Sequence, residues 1–263
     1  MDIVICVKQV PEVKDADLSI NKEGTDIDNR DDLVMTINEW DNYAVEEGVR
    51  LKETYGGTVT LITIGDEDAE DILRRGLAMG ADNAILIDDE AFKGSDAQGI
   101  ATGLYEVLKD LEFDLVLTGV QSFDDGWGQV GVMLAELMNL SYATLAVKIN
   151  VQEKGLIIHR ELESNTLEKV KLSLPALLTI QTGINTPRYV SIMGIRKVRN
   201  IGIEETDAEE LNLPLDQIGF EGSCISLRKL SLPPAGKAEM LTGSLDAVCE
   251  TVADIIRKKG GIS

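Results

Sequence analysis

Residues 114–136 read DLVLTGVQSFDDGWGQVGVMLAE, and no other stretch of the chain constrains its architecture as tightly. An apolar run, Leu115-Val116-Leu117, ends at Thr118-Gly119. A loop rich in Gly and Asp follows, and an amphipathic helix opens near Gln129 and runs to about Met138. Strand, glycine loop and helix N-terminus make a seat for a phosphate, because backbone N–H groups point outward there and the helix dipole favours negative charge. The loop lacks G-x-x-x-x-G-K-S/T, so it is no Walker P-loop, and it lacks the G-x-G-x-x-G spacing of a dinucleotide fingerprint. At this level an ordinary βα turn remains the other reading.

Outward from that unit the same alternation continues. Residues 2–8 read as a first strand. Asp17–Asp28 suggests a hairpin excursion around Gly24. Asn38–Glu53 places Ala44, Val45, Val49 and Leu51 at helical spacing. Thr58–Ile64 is a strand ending at Gly65, and Glu67–Met79 a helix closed by Gly80. Ala84–Ile87 is a strand, Asp96–Lys109 a helix with Ser95 as N-cap, and Phe113–Leu117 the strand already described. This β-α-β-α order predicts an α/β fold, a Rossmann-like, mostly parallel sheet with helices on both faces. Ligands of such sheets sit beyond the carboxyl ends of the strands, here Val7-Lys8, Ile64-Gly65 and Thr118-Gly119.

Past residue 140 the texture changes. Ala143–Ile149, Gly155–Leu162, Thr166–Leu172 and Ala176–Thr182 read as consecutive strands, three of them antiparallel and extending the sheet. Gly183–Arg199 carries turn residues and a basic cluster, Arg188, Arg196, Lys197 and Arg199. Pro214, then Pro233-Pro234 and Gly236, precede an amphipathic helix from about Ser244 to Lys258. That spacing describes either an arm packing on another chain or a helix docked on its own domain.

Composition narrows the class. A chain of 263 residues with 44% hydrophobic residues can bury a full core. No apolar run approaches the roughly 18 residues of a membrane span, so no direct membrane insertion is expected. The opening MDIVICVKQV is too short for a signal-peptide core. Cys6, Cys224 and Cys249 lack metal spacing and point to a reducing, cytoplasmic setting. A net charge of −21 argues against nucleic acid and anionic membranes.

Catalytic constellations are scarce. His159 is the one histidine and lies mid-strand. No Cys-His pair, HExxH or GxSxG occurs. Asp124-Asp125 could ligate Mg²⁺ beside a phosphate or bond local backbone donors. The first strand runs into Cys6-Val7-Lys8-Gln9-Val10-Pro11 rather than S-G-G-x-D-S, which disfavours adenylation chemistry. The residues describe a nucleotide binder with little chemistry of its own.

In order and spacing, several segments resemble the β subunit of electron-transfer flavoproteins along nearly the whole chain. They are Cys6–Pro11, Ile37-Asn38 with Asp41 and Ala44–Glu53, Leu77–Asp82, Thr118–Gln121 with Gln129–Gly131, and Pro187–Tyr189. The resemblance implies a sheet of the adenine-nucleotide-binding type and a heterodimer whose α subunit holds the redox-active FAD. It implies no catalytic residues in this chain, since the redox work belongs to the cofactor. The partners implied are the α subunit, a dehydrogenase such as an acyl-CoA dehydrogenase, and an acceptor such as a quinone oxidoreductase or ferredoxin. Other classes would be a stand-alone nucleotide-sensing module or an adenylating enzyme.

Carried over by position, the nucleotide site uses the Cys6 backbone, Asn38, Ile64, Gly65, and the segment from Gly119 through Gln121, Asp124, Trp127, Gly128 and Gln129 to Val130. The family's β nucleotide is AMP, or a second FAD in electron-bifurcating members. The Asp124-Asp125 pair leans to AMP-type loops such as D-D-D-S-N-Q-T-G. Gln129-Val130-Gly131 leans to the FAD type, D-G-D-T-A-Q-V-G. Trp127 replaces a small hydroxyl residue of both, which leaves the phosphate to the amides of Gly128, Gln129 and Val130. Val13 stands where some members place a tyrosine against the α-subunit flavin. Tyr189–Ile195 matches the partner-recognition loop, with Tyr189 and Met193 flanking Ile192 as the hydrophobic anchor. Residues 1–222 then form the nucleotide-binding domain and 223–263, with Gly236–Glu239, an arm wrapping the α subunit.

Overall fold

The computed structural model describes residues 1–14, 16–233 and 240–259. Its frame is the predicted alternation. β1 (Ile3–Cys6) is followed by a short ribbon of β2 (Gln9–Pro11) and β3 (Met35–Ile37), then α1 (Glu39–Tyr55), β4 (Val59–Ile64), α2 (Glu70–Met79), β5 (Asn83–Ile87), α3 (Ala97–Leu108), β6 (Leu115–Gly119) and α4 (Val130–Leu137). The hairpin between β2 and β3 is present: Ile20 bridges Ile27, and Gly24 turns the chain with φ 72°.

The second half builds outward from the same sheet. β7 (Ser141–Gln152), β8 (Gly155–Leu162) and β9 (Thr166–Leu172) pair antiparallel in sequence, which is the predicted extension. β10 (Ala176–Ile180) does something else. It returns to lie between β6 and β7, parallel to both. Its five residues are all buried, as a strand covered on both faces requires. β7 passes from parallel pairing with β10 to antiparallel pairing with β8 through a bulge at Leu145, which has φ 58°. After α5 (Ile192–Val198), β11 (Glu204–Thr206) pairs parallel with β5. Among the described residues the nine-stranded order is β11-β5-β4-β1-β6-β10-β7-β8-β9.

Two apolar layers sandwich this sheet. Ala44, Val45 and Val49 of α1 and Leu73 and Leu77 of α2 pack with Ile5, Leu61, Leu117 and Leu178 on one face. Ala101, Leu104 and Leu108 of α3 and Leu134 and Ala135 of α4 pack with Val4, Ile62, Val116 and Leu177 on the other. From β1 the chain builds β4 and β5 to one side and β6 to the other. The order therefore reverses between β1 and β6, the switch point where such sheets open a crevice.

Some local expectations are corrected. Asp96 caps α3, its Oδ1 accepting from the amides of Gln98 and Gly99 at 3.0 and 3.1 Å. Ser95 instead accepts from the Gly219 amide at 2.6 Å. Tyr189–Ile195 is only partly a loop, since Ile192 opens α5, with Ser191 capping it through Gly194. Beyond α6 (Gly219–Gly222) the chain is tacked to the domain. The Cys224 amide donates to Asp96 at 2.9 Å and the Leu230 amide to the Gly24 carbonyl at 2.6 Å. Pro234 and the segment Gly236–Glu239 lie outside the described residues. α7 (Leu245–Lys258) has no buried residue. Among the described residues no helix is long and apolar enough to cross a membrane.

Candidate functional site

At the switch point three strand ends meet. β1 runs beside β4 in the register Cys6↔Ile62 and beside β6 in the register Ile5↔Leu117. Cys6, Ile64 and Gly119 therefore come together at the carboxyl edge. Cys6 is buried, and burial pushes its thiol up to about 12. The thiol therefore stays protonated near neutral pH. Gly65 continues β4, its amide donating to the Ile87 carbonyl at 3.1 Å.

Asn38 immediately precedes α1, but its side chain does not cap that helix. Its Nδ2 donates to the Gln121 carbonyl at 2.8 Å, and its Oδ1 accepts from the Phe123 amide at 3.1 Å. Both ends of one buried amide thus grip the loop after β6. Three residues on, Asp41 performs a related task. Its Oδ1 accepts from the Gly119 amide at 3.0 Å and its Oδ2 from the Lys8 amide at 2.8 Å. One carboxylate ties the ends of β1 and β6 together. Gly119 is required for this approach, since a Cβ there would stand 2.3 Å from the Asp41 Oδ1.

Asp41 is buried, and that burial pushes its carboxyl up to about 7 against the hydrogen bonds from Lys8, Asn38 and Gly119 that pull it down. The folded state then holds a proton on Asp41 up to about pH 7, whereas the unfolded chain releases it near 3.8. By linkage, this group's contribution to stability is greatest below about pH 4, declines as pH rises toward 7, and is constant above. Asp41→Asn is expected to flatten that part of the pH–stability profile. It also places an amide NH₂ against a backbone N–H, which costs about 1–3 kcal/mol. Chemical unfolding of both proteins at intervals from pH 4 to 8 measures the two effects. An unchanged slope would show that Asp41 does not titrate in this range.

The loop itself ends at α4. Gly126 and Gly128 adopt φ 65° and 62°, the left-handed region that glycine enters without strain. Trp127 between them is half-buried. Gln129 takes the N-cap position of α4 without giving a side-chain cap, and no acidic residue occupies the first turn. Among the described residues no acceptor takes the amide hydrogens from Gly128 through Val132. This row of open donors at a helix start fits an anionic group such as a nucleotide phosphate.

Asp124 bonds a local backbone donor as the sequence allowed, but the main engagement of Asp124 and Asp125 is another. Both pair with the Lys8 ammonium, at 2.8 Å from Asp124 Oδ1 and 2.6 Å from Asp125 Oδ2. Asp124 Oδ1 also accepts the Asp125 amide at 2.8 Å. Lys8 and Asp41 were not among the site residues expected from sequence, although Lys8 stands at a strand end where ligands sit and Asp41 lies in a segment that carries the family resemblance. Their signal was present but weak: a lysine directly after the first strand and an acid in the first turn of the helix that follows.

The segment at Tyr189 belongs to a different surface, with α5 packed on α2. Tyr189, Ile192 and Met193 are 91%, 71% and 61% exposed. Arg188 is held from below and is not part of that exposed set. It forms ion pairs at 2.8 Å with Glu46 and with Glu53 of α1. His159 lies half-buried on β8, opposite Lys148 and Lys169.

Residues 29–211 match the electron transfer flavoprotein domain family. The chain is 33% identical over 265 residues to the electron transfer flavoprotein subunit beta of Methylophilus methylotrophus, covering 99% of this chain and 100% of that protein. It is 36% identical over 227 residues to the subunit of the same name from Bacillus subtilis, covering 86% and 87%. It is also 33% identical over 261 residues to the caffeyl-CoA reductase-Etf complex subunit CarD of Acetobacterium woodii, covering 98% and 97%.

Proposed function

Because this chain belongs to the electron transfer flavoprotein family, on its β-subunit side, we propose that it is the β half of a heterodimeric electron carrier. Its site residues hold a structural AMP. The α subunit holds the FAD, which supplies the one- and two-electron chemistry when bound. The observation that carries this reading is the row of open amides from Gly128 through Val132, set at the β1/β6 switch point. Asn38 and Asp41 fix the loop and the strand ends around it, so the seat is organised before a nucleotide arrives. In this reading Ile64, Gly65 and the Cys6 backbone wall the base, and Gly119, Gln121, Asp124, Trp127, Gly128, Gln129 and Val130 surround the phosphate.

The docking face is the exposed cluster of Tyr189, Ile192 and Met193, where a dehydrogenase seats before passing electrons on to an acceptor such as a quinone oxidoreductase or ferredoxin. The arm from residue 223 packs on the α subunit. Leu245, Val252, Ile255 and Ile256 of α7 are exposed and would be covered there. The chain works in the cytoplasm. A second FAD in place of AMP is the other reading of the site, favoured by Gln129-Val130-Gly131.

Acid release of the nucleotides from the native heterodimer tests the reading. FAD and AMP near parity are expected. FAD alone at about two per heterodimer would establish the second-FAD reading, and a single FAD with no other nucleotide would remove both. Gly128→Asp locates the phosphate. It puts a carboxylate at the open amides and forces a side chain into a φ of 62°. The β nucleotide should be lost and the heterodimer should melt earlier, while the α-subunit flavin spectrum changes little. Unaltered nucleotide content and melting would place the phosphate elsewhere.

A further inference from the structure

The proposed phosphate seat has an electrostatic difficulty. Its own loop carries two carboxylates, Asp124 and Asp125, only a few residues before the open amides. Two unneutralised negative charges there would repel a phosphate. Lys8 answers this. Its backbone is fixed at both ends, the amide donating to Asp41 at 2.8 Å and the carbonyl accepting from the Asn38 amide at 2.9 Å. From that anchored position at the end of β1 its ammonium reaches the loop after β6 and bonds both carboxylates, at 2.8 and 2.6 Å. Burial pushes the Asp124 carboxyl up, and the Lys8 charge and hydrogen bonds outweigh it, so that it sits below the usual carboxylate range. The side chain of Lys8 is only 39% exposed, which is low for a lysine that could extend freely into solvent.

We propose that Lys8 is a positioning and charge-compensating residue for the nucleotide: by pairing with Asp124 and Asp125 it offsets one of their two negative charges, weakens their repulsion and leaves the amides of Gly128–Val132 free for the phosphate. This rests on the nucleotide reading of the site. It differs from two simpler roles. In one, Lys8 touches the phosphate itself. In the other, Lys8 is a mechanical tether whose charge is incidental.

The native heterodimer tests it, with β-site nucleotide retained after desalting as the readout, measured as AMP or as FAD beyond one per heterodimer. Lys8→Met is expected to lower affinity on the order of ten- to hundredfold, and added salt should narrow that deficit by screening the exposed carboxylates. Lys8→Arg should retain the nucleotide. The triple variant Lys8→Met, Asp124→Asn, Asp125→Asn should recover it, because the charges needing compensation are gone. A triple variant that stays as empty as Lys8→Met overturns the proposal, since both direct contact and tethering forecast that result. Where Lys8→Met does not fold, Asp125→Asn on the native background separates compensation from tethering. Compensation forecasts retention at least equal to the unmodified protein, and tethering forecasts loss. If the unmodified heterodimer itself releases no β-site nucleotide, the nucleotide reading fails, and this proposal with it, before any variant is made.

Discussion

Arg188→Met is expected to destabilise the protein by about 3 kcal/mol, the lower end for breaking a buried ion pair from one side. The lower end applies because the Arg188 side chain is 34% exposed, whereas that of Glu46 is 6%. Four contacts converge on the guanidinium. Nε and Nη2 donate to Glu46 at 2.8 and 3.1 Å, and Nη1 and Nη2 to Glu53 at 2.8 and 3.2 Å. The Arg188 amide adds a bond to Glu46 at 3.0 Å. Methionine keeps the apolar stem but leaves the Glu46 carboxylate buried without its cation. For a chain of this length that corresponds to a fall in melting temperature of about 6–12 °C. Lysine should rescue poorly, because one ammonium cannot reproduce a planar fork that engages two carboxylates. Adding Glu46→Gln to Arg188→Met should restore part of the loss, since the uncompensated charge is its main source. A shift below about 1 kcal/mol, or no recovery in the double variant, would show that Glu46 is solvated once Arg188 is removed.

Ile192→Ala should leave folding intact and slow electron delivery. Ile192 is 71% exposed, so its truncation opens no cavity in the core. It is the first residue of α5, whose cap is the Ser191 hydroxyl accepting from Gly194 at 3.1 Å, and alanine is a good helix former. If the dehydrogenase buries this side chain at the centre of the interface, truncation costs about 1–3 kcal/mol. At low protein concentration the transfer rate then falls by about one to two orders of magnitude, each 1.4 kcal/mol being tenfold. Flavin content, reduction by dithionite and melting temperature should be unchanged, because α5 holds no part of the proposed nucleotide site. A residue packed under its own segment predicts the reverse, a lower melting temperature with an unchanged rate per folded molecule. The exposure of Ile192 already disfavours that outcome. An unchanged rate with unchanged melting would mean that docking lies elsewhere.

The two predictions involve neighbouring residues with opposite roles. Arg188 and Ile192 lie four positions apart, in a segment whose sequence shows only a mixture of basic and apolar side chains. In sequence Arg188 is one member of a basic cluster with Arg196, Lys197 and Arg199. Folding removes it from that cluster, because Glu46 and Glu53 wait on α1 about 140 residues earlier.

Much of the architecture follows from local rules and was legible without coordinates. Apolar runs ending in glycine gave β4 and β6. Helical spacing of Ala44, Val45 and Val49 gave α1, and the Gly24 turn gave the hairpin between β2 and β3. These are encoded by neighbours within one or two turns of chain, where periodicity and glycine placement act directly. The same holds for the glycine-rich loop that leads from β6 into α4.

What depended on distant partners was not legible. Ser95 and Asp96 are both good capping residues, and the choice of Asp96 fell to the fold, because Ser95 bonds to the amide of Gly219. β10 follows β9 in the chain, yet it pairs with β6 and β7, where its apolar side chains are covered on both faces. Asp124 and Asp125 read as a turn pair or a metal pair until Lys8, more than a hundred residues away, was seen to hold them. By itself, then, the sequence determined the alternation of elements, the parallel frame, the glycine loop between β6 and α4 and the family. Only the tertiary structure decided which charges meet, because a carboxylate's partner is set by which strand ends and helix starts the packed sheet brings together, and chain spacing carries no record of that.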